Sequence, residues 1–472
     1  MLRGRLQYMM MRWCMPSKPT VRISIPMVIA TVVGALILCW PAYLNGFPLV
    51  FGDTGNYIGQ AILHYIGWNA PPFYSMFLLA TDWRLTLWTP IFVQGAIVTS
   101  LLSMVLRQFD LHGPWPTLAA CLALALFTSL PWVVSQLMAD VFTGIVVLAL
   151  ALLGFGTLGR WERTYLVLLA AGAIALHQSH IPLAFGLLVV GCVLRWWQDG
   201  IGASLLALRR LAPAPVLGTV LVFSVNLLAL GSASLSPFGG IVLAARMIGD
   251  KTGTAYLHAA CPTKHYKICN HLDRLSQGGS HLLWFEPALW SSMGGERAWA
   301  PEASRIVHGT IVHDPGAVVA AALHNGVEQF AAMQTGERLE PWVKADGPRP
   351  LIARFFHGEL ASYDNSRQET GRLVDDVKPF AALHVALAWL GLLALLGAIV
   401  AERRNHAIVG ICVMVLAAMI GNALITGALS GVESRYAARV AWLLAFIPCI
   451  VLVRRIRLRT RLNSTNAAVL VG

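Results

Sequence analysis

Apolar residues run through this chain in long stretches separated by short polar connections, and that spacing sets its architecture. Stretches at 26–43, 86–106, 117–136, 141–155, 165–176, 181–194, 216–235, 380–400, 407–428 and 438–453 read as membrane spans, since a helix needs about 20 mostly apolar residues to cross a bilayer core. The predicted fold is an all-α polytopic membrane protein of about ten transmembrane helices with interfacial helices, plus a late extracytoplasmic domain that is mostly helical or irregular. The divisions are a cytoplasmic basic arm at 1–22, an N-terminal transmembrane module at 23–248 with its first external loop at 45–85, the extracytoplasmic domain at 249–379, C-terminal transmembrane helices at 380–453 and a cytoplasmic basic tail at 454–472. Within the first external loop, Ile58, Ala61, Ile62, Tyr65 and Ile66 recur at helical spacing. Asp53 therefore opens a short helix lying along the membrane surface. Pro71 and Pro72 end it, and 73–80 is a second apolar piece too short to span.

Composition agrees with that pattern. Of 472 residues, 57% are hydrophobic and only 12% charged, where soluble domains run near about 25% charged. The net charge of +12 points to no nucleic-acid partner, because the basic residues gather in the terminal segments and in alternate loops. With the N-terminus in the cytoplasm, Arg107, Arg160, Arg163, Arg195, Arg209, Arg210, Arg403 and Arg404 fall inside with the tail. Asp53, Arg84, Asp140, His177, His180, Glu433, Arg435 and the polar domain fall outside. The first apolar run is long enough to span and no small-residue cleavage site follows, so it reads as a retained helix. Short loops, Ala/Leu-rich spans and the high Arg-to-Lys ratio suggest a bacterial inner-membrane protein with both termini cytoplasmic and its active face periplasmic. Cys39, Cys121, Cys192, Cys412 and Cys449 sit in spans as small apolar filler. Cys261 and Cys269, outside in CPTKHYKIC, are candidates for a disulfide; a zinc site with His265 and His271 is the alternative, although the spacing fits no common pattern.

Five stretches then stand in a telling order: FGDTGNYI after the first span, the Pro-rich APPFYSMFL, QLMADVFTG with a second acid at the outer start of a later span, the late polar domain, and ESRYAARV opening the last span. This ordered set resembles the GT-C superfamily of membrane glycosyltransferases, which take sugars from polyprenyl-phosphate carriers and include protein mannosyltransferases and aminoarabinose lipid A transferases. The resemblance covers about 25–240 and 380–453 and is loose in the external domain. It implies transfer of a hexosyl or pentosyl group, with inversion, to a glycan, lipid or protein acceptor of the cell envelope. It also makes Asp53 the base or metal-site residue. The family's paired acid is missing, since Thr54 and Asn56 flank Asp53, which leaves a requirement for a divalent metal (Mg or Mn) open.

The residues support the same chemistry on their own terms. Glycosyl transfer needs a base near the acceptor hydroxyl and positive charge near the departing phosphate. Asp53 is the first candidate base and Asp140 the second. Arg435, able to hold a phosphate bidentately, is the first candidate for the carrier phosphate, with Arg439 one helical turn on and Arg84 in the first external loop as further cations. Tyr57 could line the carrier's access groove, Glu433 and Tyr436 flank Arg435, and His177 and His180 lie three apart in LHQSHIP. Each has a plainer reading. Asp53 and Asp140 could cap the helices that follow them, Arg435 could be a snorkelling anchor paired with Glu433, and the histidines could form a polar turn. No P-loop, dinucleotide fingerprint or nucleophile elbow is present. Two rivals remain: an O-antigen polymerase- or ligase-type enzyme relying on Arg349, Arg354 and Arg367, and a transporter or flippase of a lipid-linked substrate.

Overall fold

The computed structural model describes residues 24–278, 287–342 and 347–471; the basic arm at 1–22, with Cys14, lies outside the described residues. Among them the structure is helical, with one isolated bridge between Leu49 and Gln136. The helices are α1 Ile25–Leu38, α2 Trp40–Asn45, α3 Gly52–Leu63, α4 Phe73–Asp82, α5 Trp88–Gln108, α6 Pro114–Phe127, α7 Leu130–Val134 and α8 Val141–Phe155. There follow α9 Arg160–Ala175, α10 His180–Asp199, α11 Ile201–Leu211, α12 Pro213–Leu230, α13 Gly239–Gly249, α14 Thr252–Lys264, α15 Pro287–Ser292, α16 Glu296–His313 and α17 Pro315–Ala331. The chain closes with α18 Arg349–Phe355, α19 Leu360–Asp364, α20 Leu373–Ala401, α21 His406–Leu429 and α22 Ser434–Val471.

Six spans meet the length and apolarity of a membrane crossing among the described residues: α5, α10, the pair α11–α12, α20, α21 and the first 27 residues of α22. The bent pair α16–α17 would make a seventh. The expectation of about ten is not met by this measure, for visible reasons. The stretch 26–43 breaks at Cys39, with Pro41 near the start of α2. The stretch 117–136 stops at Phe127, passes through an extended Thr128 and restarts as a single turn with Pro131 in its first positions. Helix α8 is only 15 residues long, yet every one of them is buried. It is sealed by neighbouring helices rather than by lipid, so its length need not match a bilayer.

The segment 249–379 holds two parts, the first of which reaches back into α13. Ile241, Ala244, Leu257, Ile268, Trp299 and Ile306 form a small core of their own, fed by α13, α14 and α16, and Cys261 and Cys269 are disulfide-bonded there. Beyond it, α16 and α17 meet at a bend of 105°, and α17 packs along α21. That packing is backbone-close: a Cβ on Gly427 would stand 2.5 Å from the Asn325 carbonyl. Small residues permit such approach between helices in apolar surroundings. Val319, Leu323 and Val327 are left exposed on α17.

At one end of the bundle, connections separated by hundreds of residues share ion pairs. Arg454 bridges Asp110 and Glu402, Arg455 joins Glu402, Arg107 meets Glu162, and Asp199 joins Arg195 to His406. The loops that charge bias assigns to one side therefore do lie at one end. Helix α22 brings the chain to this end from the opposite one, where the acids gather.

Candidate active site

The acids are brought together by backbone before any side chain acts. Leu49 pairs with the turn ahead of α8 in an isolated bridge to Gln136: its N–H donates to Ser135 O at 2.9 Å and its carbonyl accepts from Leu137 N at 2.9 Å. Thr54 Oγ1 adds a bond to Leu137 O at 3.1 Å. Gln368 holds the other edge, donating to Val50 O at 2.9 Å and accepting from Val50 N at 3.1 Å. This lashing places the start of α3 beside the start of α8, and so Asp53 beside Asp140. Phe51, not Asp53, is the N-cap of α3, with its N–H bound to Thr54 Oγ1 at 2.9 Å. Asp140 does occupy the cap position of α8 but makes no side-chain cap bond. The capping role read from the sequence is therefore filled by neither carboxylate.

Both turn to arginines at the start of α22. Arg435 Nη1 lies 3.4 Å from Asp140 Oδ2 and Nη2 lies 3.9 Å from Asp53 Oδ2. Nη2 also donates to Tyr436 Oη at 3.1 Å, and the guanidinium lies 4.1 Å from the Phe51 ring centroid, a favourable cation–π distance. Its Nε is buried and has no acceptor. Arg439, one turn on, is fully buried. It donates to Asp140 Oδ1 at 3.0 Å, to Asn422 Oδ1 at 2.8 Å and to Ser179 Oγ at 3.2 Å.

Asp53 is oriented from behind by a chain of side chains. Asn69 Nδ2 donates to it at 3.1 Å, Asn56 Nδ2 donates to Asn69 Oδ1 at 2.9 Å, and Tyr65 Oη donates to Asn56 Oδ1 at 3.0 Å. Asn56 thus supports Asp53 through Asn69. Burial holds the Asp53 carboxyl above its ordinary range, a rise that Arg435, Arg338 and Asn69 oppose and Asp140 reinforces.

The other sequence candidates divide. Glu433 does not pair with Arg435; it bridges Arg338 at 2.8 Å, while Gln329 clamps its backbone at 2.9 Å on both sides. Tyr436 lies in the cluster, its ring 4.7 Å from the Arg435 guanidinium. His177 reaches the edge of it, its Nδ1 2.8 Å from Ser179 Oγ. His180 is fully buried, with Nδ1 2.7 Å from Ala173 O and Nε2 2.8 Å from Thr143 Oγ1. Both ring nitrogens are satisfied, which suits a packing role. Tyr57 is not in a groove; it is buried edge-on against Tyr74 at 4.8 Å between centroids. Arg84 is exposed in the turn after α4 beside Asp82 and does not join the cluster.

Four contributors went unread in the sequence: Trp132, Glu337, Arg338 and Asn69. Glu337 Oε2 accepts from the Arg435 backbone N–H at 2.8 Å, and the Glu433 carboxyl lies close by. Burial and the neighbouring Glu433 push Glu337 up to about 7. Arg435, Asp140, Gln136, Glu337, Trp132 and the apolar Leu49 and Leu339 line one pocket of about 30 Å³. That is room for about one water, and far too little for a sugar phosphate. Trp132 is 3% exposed and its indole N–H has no acceptor.

A divalent ion does not fit this arrangement. A guanidinium already stands against both carboxylates, and among the described residues no three His, Cys, Asp or Glu side chains form a metal-holding group. No family model, curated protein or solved structure matches the chain.

Proposed function

We propose that the chain is a membrane glycosyltransferase that moves a sugar from a polyprenyl-phosphate carrier to an acceptor of the cell envelope, working on the outer face of a bacterial inner membrane. The observation that carries this reading is Arg435. A cation at the head of a membrane span touches two acids from distant parts of the chain, and it lines a pocket whose other walls are largely apolar. An amphiphile with a charged head and an apolar tail suits such a boundary.

The roles follow from the bonding. Asp140 has both oxygens committed to guanidinium groups, so it acts as the anchor that sets Arg435 and Arg439. Asp53 meets Arg435 only at 3.9 Å and keeps more of its basicity because of burial. It takes the proton of the acceptor hydroxyl as that oxygen attacks the anomeric carbon. The bond from that carbon to the carrier's phosphate oxygen breaks, and the oxygen leaves with the electron pair. Arg435 Nε and the Trp132 N–H, both without acceptors, are the donors available to it. Attack from the face opposite the phosphate inverts the anomeric centre. The pocket must widen to admit the donor, and the wall carrying Gly336, Glu337 and Leu339 lies in the connection between α17 and α18.

The test is transfer by purified protein from a panel of polyprenyl-phosphate sugars, with wild type compared to Asp53→Asn. Transfer lost in the variant, with insertion and folding retained, supports the assignment; full transfer in the variant removes Asp53 from the mechanism. The polymerase-type rival is disfavoured because Arg349 and Arg367 are occupied in surface pairs with Asp364 and Asp376.

A further inference from the structure

Charge counting around the pocket exposes a problem that the proposed reaction must solve. Arg439 is neutralised by Asp140, Arg338 by Glu433, and Arg435 faces Asp53 as well as Asp140. Glu337 is the carboxyl left over. Once every acid is ionised, a phosphate arriving beside Arg435 meets no surplus of positive charge, and in a buried site a like charge at hydrogen-bonding range is strongly unfavourable. One carboxyl must therefore hold a proton when the anion binds.

The geometry points to a single place for it. Glu337 forms part of the pocket wall with Arg435, accepts from the Arg435 backbone N–H at 2.8 Å and has the Glu433 carboxyl beside it. Two neighbouring carboxyl groups in a part-buried site favour holding one proton between them. The surrounding charged groups fix the pair from each side: Arg338 on its own loop, Arg435 and Arg439 from α22, Asp140 from α8 and Asp53 from α3. Glu433 is tied to Arg338 at 2.8 Å and is the member with a guanidinium of its own. Glu337 has no cation of its own; its hydrogen-bond donor is the Arg435 backbone N–H.

We propose that the Glu337–Glu433 carboxyl pair is a proton-binding site coupled to Arg435, so that an anionic lipid headgroup binds with uptake of one proton at Glu337. This rests on the carrier-phosphate reading above, and deepens it. When the anion arrives, its charge raises the cost of a bare Glu337 carboxylate, and a proton from solvent joins the pair. When the anion leaves, the proton is released. The position of Glu337 near neutrality puts this exchange in the working range of the protein.

The experiment is calorimetric titration of the full chain in detergent with a polyprenyl-phosphoryl-glucose. The ligand is a phosphodiester whose single charge does not titrate near neutrality. Measuring at one pH in two buffers of different ionisation enthalpy counts the protons exchanged. The expected result above pH 7 is uptake of up to about one proton per ligand, and an affinity falling by up to about tenfold per pH unit. Glu337→Gln should bind without proton uptake and with an affinity flat in pH. Binding by wild type with no proton uptake overturns the proposal and leaves the carrier reading standing. Uptake that persists in Glu337→Gln overturns it too. No binding of the phosphodiester at any pH, with wild type folded, overturns the carrier reading itself.

Discussion

Arg435 and Arg439 stand one turn apart on the same helix and share Asp140, yet they occupy opposite circumstances. Arg439 has no exposed surface and bonds to Asp140, Asn422 and Ser179, three partners from three separate segments. Arg435 retains 16% side-chain exposure, reaches its acids at 3.4 and 3.9 Å, and has an Nε with nothing to bind. The inner arginine is a bolt: a charge buried because it is fully answered. The outer one is held loosely and has bonding capacity to spare, as a group that must receive a ligand requires. Position relative to the pocket, not residue type, separates the structural cation from the working one.

The sharpest way to break that distinction is through the acid that touches only the outer arginine. Asp53→Asn keeps the shape and the Asn69 contact while removing the base, and should lower transfer by about 10²–10⁴-fold with thermal stability near that of wild type. Next comes the inner bolt. Arg439→Met leaves Asp140 without its closest guanidinium in a buried setting, a loss of about 3–5 kcal/mol that should appear as a large fall in melting temperature in detergent. Arg435→Met tests the contrast directly. It should cost about 1 kcal/mol or less in stability, as befits a partly open pair, yet abolish binding of a lipid phosphate. If the two arginine variants destabilise equally, the division of labour fails.

Away from this end of α22, Cys261→Ser probes the small module at 239–306. The disulfide closes a loop with a sequence separation of 8, and its loss should cost about 2–3 kcal/mol. That loss should be confined to the module, because its core is separate from the one that seals α8. Protease susceptibility should rise there while the membrane bundle stays resistant.

Which of these features could be read from the chain alone follows a physical rule. The shared end was legible: arginines in alternate loops put Asp53, Asp140 and Arg435 together at the other end of the bundle, since membrane topology leaves few alternatives. Asn422, an amide in an otherwise apolar span, holds Arg439. Span length was a poorer guide. Helix α8 is as hydrophobic as a membrane crossing but shorter, because burial inside protein and burial in lipid leave the same composition. Glu337 and Arg338 were invisible. They lie in a polar connection with no periodicity, where a charge beside the site and a charge in water look alike. Trp132 read as part of an expected span, and only the break after Phe127 turns it toward the pocket wall.

The finest test concerns the support behind Asp53. Burial already holds its carboxyl above the ordinary range, and the Asn69 amide works against that rise by donating to the ionised form. As a base, Asp53 is active when ionised, so transfer should fall as pH drops through its raised value, at a higher pH than an exposed aspartate would give. Asn69→Ala removes a donor to the charged form and should move that acid limb to still higher pH, with the plateau rate at high pH little changed. Asn56→Ala, one bond further back, should move it in the same direction by less, since it acts only by holding Asn69 in place. A limb that ignores Asn69 and responds to Glu337 instead would hand the role of base to the carboxyl on the pocket wall, and the open end of the site would then have its two acids exchanged.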